Sequence, residues 1–275
     1  MYDIQRLFSS IGAKPSKKLS QNFLIDENIL DSEVSFANLC REDIVLDIGA
    51  GFGFLTEKLS EKARKVVAIE LDKRLASYLK NRFEKNGNIE VVQGDILDLV
   101  ENLDFDKVVA NIPYEISSEI TFALLAKKFK LAIICYQKEF AGRMVAEAGD
   151  KEYSRLSVMT NYFANAKIMM DVSKKSFYPQ PKVDSAIVSL IPRKEKPYSV
   201  THEGFFFKIV ALLFQHKKQT VRNALVHSSK SLGIGKSGLK SMKFSASLES
   251  RRVFTLTGQE IAKISEYVKE YARSH

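Results

Sequence analysis

Between residues 43 and 136, short runs rich in β-branched residues alternate with longer segments whose apolar residues recur every three or four positions. The short runs predict strands and the longer segments predict helices. Strands that alternate with helices form a parallel sheet with helices on both faces. The predicted strands are Ile44–Ile48, Val66–Ile69, Ile89–Val92, Lys107–Ala110 and Leu131–Ile134, and the helices between them are Phe54–Glu61, Asp72–Lys85 and Ser117–Lys128. This pattern predicts the α/β fold class.

The chain changes character after Pro192. Two β-rich stretches, Ala166–Val172 and Ser185–Leu190, precede that point and predict a hairpin that extends the sheet. A charged stretch that contains proline follows, and beyond it the patterns are helical only. We therefore expect two domains, an α/β domain over residues 1–192 and a small helical domain over residues 193–275.

The positive charge is concentrated in the predicted helical domain. The whole chain has 42 Lys and Arg residues against 33 acidic residues, a net charge of +9. Residues 193–255 contain 13 basic and 3 acidic residues, whereas residues 1–192 contain 26 basic and 27 acidic residues. A basic domain next to a neutral one favours nucleic-acid binding, and we expect Lys217, Lys218 and Arg222 to contribute to it. The alternative is an ordinary solvated helical surface.

Several classes of protein are disfavoured. No apolar run approaches the roughly 20 residues that span a bilayer, and Met1–Gln5 lacks the layout of a signal peptide. The two cysteines, Cys40 and Cys135, lack the CxxC spacing, which argues against a disulfide framework and a zinc site. We expect a soluble cytoplasmic protein that binds no metal and no membrane.

A glycine-rich loop follows the first predicted strand and reads Asp47-Ile48-Gly49-Ala50-Gly51-Phe52-Gly53. Glycines let the backbone turn sharply beside a ligand at the carboxyl end of the strand. A dinucleotide fingerprint would need its third glycine at position 54, where this chain has Phe54, so the spacing disfavours NAD. An acid ahead of the glycines suits a ligand with a positive end better than a pyrophosphate.

Two further acids end the next two predicted strands. Glu70 lies 23 residues after Asp47, where a carboxylate can accept hydrogen bonds from both hydroxyls of a ribose. Asp95 is placed to accept from an adenine amino group. Taken singly, an acid at the end of a strand is more often a helix cap or a loop residue. Together they predict a nucleoside site, and S-adenosylmethionine is the nucleoside that carries a cationic sulfonium.

The fourth predicted strand ends in Asn111-Ile112-Pro113-Tyr114. The Asn111 amide oxygen and a backbone carbonyl next to Pro113 can both accept from one exocyclic amino group, which directs its nitrogen at an electrophilic methyl. Tyr114 offers a flat face for a base swung out of its stack, and Phe177 could supply the opposite face. The alternatives are a structural turn for the Asn-x-Pro-Tyr segment and a core position for Phe177.

From about Lys14 to Lys230 the chain resembles the ribosomal RNA adenine dimethyltransferases that act on the small subunit. The motifs that carry the resemblance are Ser20-Gln21-Asn22-Phe23-Leu24, the glycine loop, Ala68-Ile69-Glu70, Gly94-Asp95, Asn111-Ile112-Pro113-Tyr114, Gln137–Arg143, Tyr153–Val158, Phe177–Ala186 and Phe214-Gln215-His216-Lys217. The first and the last three of these are more specific than the glycine loop. The family commonly has Gly where this chain has Ser20, and Ile112 favours the archaeal and eukaryotic branch.

The resemblance implies a Rossmann-like class I methyltransferase sheet with a small helical domain. It implies transfer of methyl groups from S-adenosylmethionine to the 6-amino group of two adjacent adenosines near the 3′ end of small-subunit (16S-type) rRNA, during subunit biogenesis. The implied partner is the immature 30S-type subunit, and the implied oligomeric state is a monomer. The residues carried over as cofactor contacts are Asn22, Leu24, Gly49, Gly51, Glu70, Asp95 and Asn111, and those carried over as the catalytic site are Asn111, Tyr114 and Phe177.

Three other functions compete with this prediction. A related group of enzymes methylates an adenosine of large-subunit rRNA and shares the fold, the cofactor and the Asn-x-Pro-Tyr segment that would hold the amino group, called the clamp below. A non-catalytic RNA-binding or ribosome-assembly factor could keep the fold, although the intact glycines, Glu70, Asp95 and Asn111 argue against loss of catalysis. A DNA adenine methyltransferase would need a sequence-reading domain, for which residues 193–275 leave little room.

Overall fold

A computed structural model describes residues 4–242 and 246–274. The chain divides into two compact units, the first formed by Met1–Ala141 and Asn165–Pro192 and the second by Gly142–Ala164 and Arg193–His275. Lys243, which was counted in the basic stretch, lies outside the described residues. None of the described helices is both long and apolar enough to span a bilayer.

Nine strands are described: β1 (Phe23–Leu24), β2 (Ile44–Ile48), β3 (Lys65–Glu70), β4 (Ile89–Gln93), β5 (Lys107–Asn111), β6 (Leu131–Gln137), β7 (Ala164–Val172), β8 (Phe177–Tyr178) and β9 (Ser185–Pro192). Seven form one sheet in the order β4-β3-β2-β5-β6-β9-β7. The neighbours from β4 to β6 are parallel, and β9 runs antiparallel to β6. The five strands predicted between residues 43 and 136 are therefore present, and the predicted hairpin strands are neighbours at one edge.

The first unit contains the helices α1 (Ile4–Ser10), α2 (Glu27–Phe36), α3 (Phe54–Ser60), α4 (Lys73–Arg82), α5 (Ile96–Leu99) and α6 (Ser117–Leu125), and α7 (Lys138–Val145) begins in it. Aspartates start three of these helices: Asp26, Asp72 and Asp95 each accept a hydrogen bond from a backbone N–H of the first turn. The central strands are buried on both faces, and Val45, Leu46, Val108 and Ala110 have no measurable exposure.

The switch in strand order places the functional end of this unit. From β2 the chain proceeds outward through β3 to β4 and then returns to β5 on the other side of β2. Ligands of open parallel sheets bind at the carboxyl ends of the strands beside such a reversal. The glycine loop after β2 and Asn111 at the end of β5 lie at that reversal.

The second unit is helical and has its own core. It contains α8 (Arg155–Phe163), α9 (Glu203–Gln215), α10 (Val221–His227), α11 (Ser229–Leu232), α12 (Lys236–Ser241), α13 (Ala246–Glu249) and α14 (Gly258–Ser274). Here the structure differs from the predicted domains, because residues 142–164 belong to this unit and not to the first. The reason is packing: Tyr153, Val158 and Tyr162 are buried in one cluster with residues of α9, α10 and α14.

Candidate active site

The predicted site residues line one cleft of the first unit. It lies at the carboxyl ends of β2, β3 and β5 and is walled on one side by the segment that includes β1. Its lining includes every residue proposed from the sequence: Asn22, Leu24, Gly49, Gly51, Glu70, Asp95, Asn111, Tyr114 and Phe177. Residues separated by up to 155 positions in the chain therefore meet in one place.

The glycine loop takes a conformation that few other residues adopt. Gly49, Gly51 and Gly53 have φ angles of 75°, 59° and 81°. A Cβ on Gly51 would lie 2.9 Å from Cδ1 of Phe23, closer than packed atoms approach. The loop therefore presents bare backbone to the cleft, as the glycine spacing predicted.

Glu70 fixes the backbone around the cleft. Its Oε2 accepts from the Gly51 N–H at 2.8 Å, and its Oε1 accepts from the Asp72 N–H at 2.8 Å. Burial raises the pKa of this carboxyl, while the backbone N–H groups of Asp72, Gly51 and Leu71 oppose the rise. Each carboxylate oxygen has a second lone pair, so both remain able to accept from a ligand.

Asp47 is buried beneath the glycine loop and accepts from the Thr56 hydroxyl at 2.6 Å. Burial raises the pKa of Asp47 to about 7, and the nearby Glu70 adds to the rise. A cation in the cleft would stabilise the ionised form of both acids. The charge of this region therefore fits a ligand with a positive end.

Asp95 is the helix cap that the sequence offered as an alternative, and it also lines the cleft. Its Oδ1 accepts from the Leu97 N–H at 2.9 Å and so starts α5. The residue is half-buried and lines the cleft. Because Oδ2 accepts no hydrogen bond from the described residues, the cap does not use the whole carboxylate.

The segment Ser16–Leu24 is held against the rim of the cleft. Gln21 accepts from the Ser16 N–H at 2.7 Å and donates to Asp72 at 3.2 Å, and Asn22 donates to the Ser20 carbonyl at 3.0 Å. Ser20 is left-handed, with φ 47°. The position where the family commonly has Gly is therefore one whose backbone favours glycine.

Asn111 and Tyr114 are held by polar partners from distant parts of the chain. The Asn111 Nδ2 donates to Oε2 of Glu33 at 3.0 Å, while its Oδ1 is buried and has no partner among the described residues. The Tyr114 hydroxyl is 2.7 Å from the Ser185 hydroxyl, and burial raises the pKa of the tyrosine. At the end of β5 an amide oxygen without a donor in the described part of the chain therefore lies near an anchored ring.

Phe177 lines the cleft but is also part of the core. It is 4% exposed and packs in the same apolar cluster as Leu24 and Ile25. Pairing of β8 with β1 places Phe177 opposite Leu24. Phe177 therefore occupies a core position, which was the alternative given from the sequence. Its role as a stacking surface for the base stays a prediction.

Sequence reasoning missed three partners of the site. Glu33 binds Asn111, Ser185 binds Tyr114, and Asp72 binds Gln21. Only Glu33 left a signal: Leu30, Glu33 and Ala37 occupy the buried face of α2 at helical spacing, so an acid interrupts an apolar stripe.

Two of the three residues expected to bind nucleic acid have structural partners instead. Lys217 donates to the carbonyls of Lys151 and Tyr153 at 3.0 and 3.1 Å. Arg222 donates to the Leu239 carbonyl and forms an ion pair with Glu249 at 2.6 Å. Lys218 is exposed. Neutralising all three would therefore disturb the second unit as well as its surface charge.

Comparison with known proteins agrees with this geometry. The chain is 44% identical over 264 residues to a protein of Pyrococcus furiosus named "Probable ribosomal RNA small subunit methyltransferase A", which covers 95% of this chain and 94% of that protein. A protein of the same name from Methanosarcina acetivorans is 47% identical over 245 residues, covering 89% of this chain and 90% of that protein.

Two solved structures are similar over 90% of this chain. A dimethyladenosine transferase from Plasmodium falciparum superposes with a TM-score of 0.76 at 32% identity, covering 98% of that chain. The 23S rRNA methyltransferase ErmE superposes with a TM-score of 0.65 at 27% identity, covering 99% of that chain. The fold is therefore that of class I methyltransferases, as predicted.

A family model described as ribosomal RNA adenine dimethylase matches residues 12–245, which contain the whole cleft lining. The match covers most of the chain and agrees with the relatives found over nearly its full length. The chain belongs to the ribosomal RNA adenine dimethylase family.

Proposed function

We propose that this chain uses S-adenosylmethionine to dimethylate the 6-amino group of two adjacent adenosines near the 3′ end of small-subunit rRNA. One observation carries the proposal: at the end of β5, the buried amide oxygen of Asn111 has no donor among the described residues. It lies in the same cleft lining as the glycine loop, Glu70 and Asp95. The names and similarity of the relatives favour the small subunit over the large one. We further propose that the protein acts as a cytoplasmic monomer on the immature 30S-type subunit.

The residues of the cleft fit S-adenosylmethionine. Glu70 would accept from the two ribose hydroxyls through its remaining lone pairs, and Asp95 Oδ2 would accept from the adenine amino group. Asn22, Leu24 and Gly49 line the same space, and the absence of a side chain on Gly51 lets the Phe23 ring pack against the loop. When bound, the cofactor supplies an electrophilic methyl group on a cationic sulfur.

Asn111 and Tyr114 would position the target base. The Asn111 Oδ1 and a carbonyl next to Pro113 would each accept a hydrogen bond from one N–H group of the amine. These two bonds hold the nitrogen lone pair towards the methyl group. Tyr114, anchored by Ser185, presents its ring to one face of the adenine, and Phe177 would bound the other face. After one methylation a single N–H remains, so this clamp must also hold an amine with one donor.

The experiment that tests this function supplies labelled S-adenosylmethionine with naked small-subunit rRNA and, in parallel, with immature small subunits. We expect dimethyladenosine at two adjacent positions near the 3′ end, mapped by mass spectrometry. Label in large-subunit rRNA alone would support the competing enzyme class. Tight binding of RNA without any transfer would support a non-catalytic assembly factor.

The exposed lysines of the second unit are the proposed contacts with RNA phosphates. Lys230 lies on α11, and Lys236 and Lys240 lie on α12. All three side chains are exposed and none belongs to the apolar core of this unit, so replacing them should not disturb that core. Each phosphate contact releases about one counterion, so log K falls as log salt rises. Replacing all three lysines by glutamate should reduce the steepness of that fall by up to about 3. We expect rRNA affinity to fall at least about ten-fold at moderate salt while cofactor affinity stays unchanged.

A matched variant separates this effect from the change in net charge. Lys62, Lys85 and Lys128 are also exposed. Each lies between the end of a helix and the start of the next strand, and so near the amino ends of the strands, whereas the cleft lies at their carboxyl ends. Glutamate at these three positions changes the net charge equally but should affect RNA binding far less. Equal losses in the two triple variants, measured by filter binding over a salt series, would contradict a specific role for α11 and α12.

A further inference from the structure

Glu33 is a carboxyl group inside the first unit, next to the proposed methyl-transfer site. It lies on α2 between Leu30 and Ala37, is 0% exposed, and accepts from the Asn111 Nδ2 at 3.0 Å. Its other oxygen, Oε1, is buried and has no partner among the described residues. Burying an acid is costly, and this one forms no ion pair with a described residue that would offset the cost.

We propose that Glu33 is a positioning residue that fixes the side-chain amide of Asn111 with its oxygen towards the target amine. An asparagine amide can rotate by 180° and exchange its donor and acceptor ends. An ionised carboxylate only accepts, so it binds the Nδ2 end and leaves Oδ1 for the substrate. This inference rests on the proposed function, because it concerns the amine acceptor of that reaction.

The protonated form of Glu33 would not enforce this orientation. A neutral carboxyl group can donate to the Asn111 Oδ1, which would turn Nδ2 towards the amine and remove the acceptor. The ionisation of Glu33 thus controls which end of the amide faces the substrate. Burial raises the pKa of Glu33 to about 8, the Asn111 hydrogen bond opposes the rise, and Asp47 adds to it.

Among the described residues, the ionisable groups that interact with Glu33 are Asp47 and Cys135. Asp47 lies at the end of β2, and on β6 the thiol of Cys135 is buried, with a pKa raised well above its ordinary value mainly by that burial and further by Glu33. On the packed helix α3, Lys58 forms an ion pair with the exposed carboxylate of Asp31. Asp47 is therefore the group whose ionisation must be separated from that of Glu33.

The test measures kcat, KM for immature small subunits and cofactor affinity from pH 6 to 9.5 for the wild type and for Glu33→Gln. Glutamine keeps the size but can both donate and accept, so it allows both orientations of the amide. For the wild type we expect kcat to rise with pH as Glu33 ionises. For Glu33→Gln we expect kcat at pH 9 to fall about ten-fold or more, the rising limb to disappear, and KM and cofactor affinity to change less than about two-fold.

Asp43→Asn is the matched control. Asp43 is also buried, at the opposite end of β2, where it pairs with Lys107 at 2.9 Å. This variant should lose thermal stability but keep the kcat and pH profile of the wild type. A rising limb that persists in Glu33→Gln would belong to Asp47 and overturn the proposal, as would an unchanged kcat. If the wild type transfers no methyl group, the proposed function is wrong. The wild-type pH profile tests the role of Glu33 even if Glu33→Gln does not fold, because a kcat that does not rise with pH would contradict it.

Discussion

Replacing Asn111 by alanine is expected to reduce kcat for methyl transfer by about 10²–10³-fold, with cofactor affinity within about two-fold of the wild type. The structure supplies the reason. The Asn111 Oδ1 is buried and accepts from no described residue, so it can accept from a target amine without first losing such a bond. Alanine removes that acceptor and leaves Glu33 as a buried acid without its one hydrogen-bond donor.

The measurement for Asn111→Ala combines single-turnover methyl transfer with titration of the cofactor. Asn88→Ala is a suitable control, because the Asn88 Nδ2 donates to the Ser60 carbonyl at 2.8 Å in the same unit and has no part in the cleft. That variant should lose stability and keep its rate. If Asn111→Ala dimethylates assembled subunits at the wild-type rate, the clamp assignment is wrong.

The parts of the fold that the sequence predicted are those set by local patterns. Buried parallel strands are continuous apolar runs, so Ile44–Ile48 is found as predicted, and the glycines at 49, 51 and 53 adopt the positive φ angles that their loop requires. Residues at the carboxyl ends of parallel strands in one sheet lie at the same end of that sheet. For this reason Glu70, Asp95 and Asn111 could be assigned to one cleft without a structure.

The parts that the sequence did not predict depend on contacts distant along the chain. The pairing of β1 with β8 joins Phe23 to Tyr178, and two-residue strands leave no alternation to detect. Residues 142–164 comprise the end of α7, a connecting segment and α8, and only the packing of Tyr153 and Tyr162 assigns them to the second unit. Lys217 is basic in sequence but bonds to backbone carbonyls, which composition cannot show.

The site carries a cost to stability that its function would explain. Burial raises the pKa of Glu33 from 4.5 to about 8 and that of Asp47 from 3.8 to about 7. Because both values lie above those of the unfolded chain, the stabilisation from these groups is full below about pH 4 and is lost as the pH rises through the folded values. A cation bound in the cleft favours ionisation and would offset that loss, so the same two acids that oppose folding favour a positively charged ligand.

Replacing Glu70 by alanine is expected to weaken cofactor binding by about 10²–10⁴-fold, the second large effect. Hydrogen bonds to a charged group contribute about 1.5–3 kcal/mol each, and alanine removes the two that a ribose would donate. It also removes the partners of the Gly51 and Asp72 N–H groups, so the loop that shapes the cleft loses its anchor.

The effects of Glu70 and Asn111 should differ in kind, which makes the pair of variants informative. Saturating cofactor should restore much of the rate of Glu70→Ala, because the amine acceptor is intact, whereas it should not restore Asn111→Ala. Glu57→Ala is the control: this carboxylate is exposed, forms an ion pair with Arg82 at 2.7 Å and does not line the cleft, so its affinity for cofactor should be unchanged. Calorimetric titration of S-adenosylmethionine decides the question, and wild-type affinity in Glu70→Ala would show that the ribose lies elsewhere.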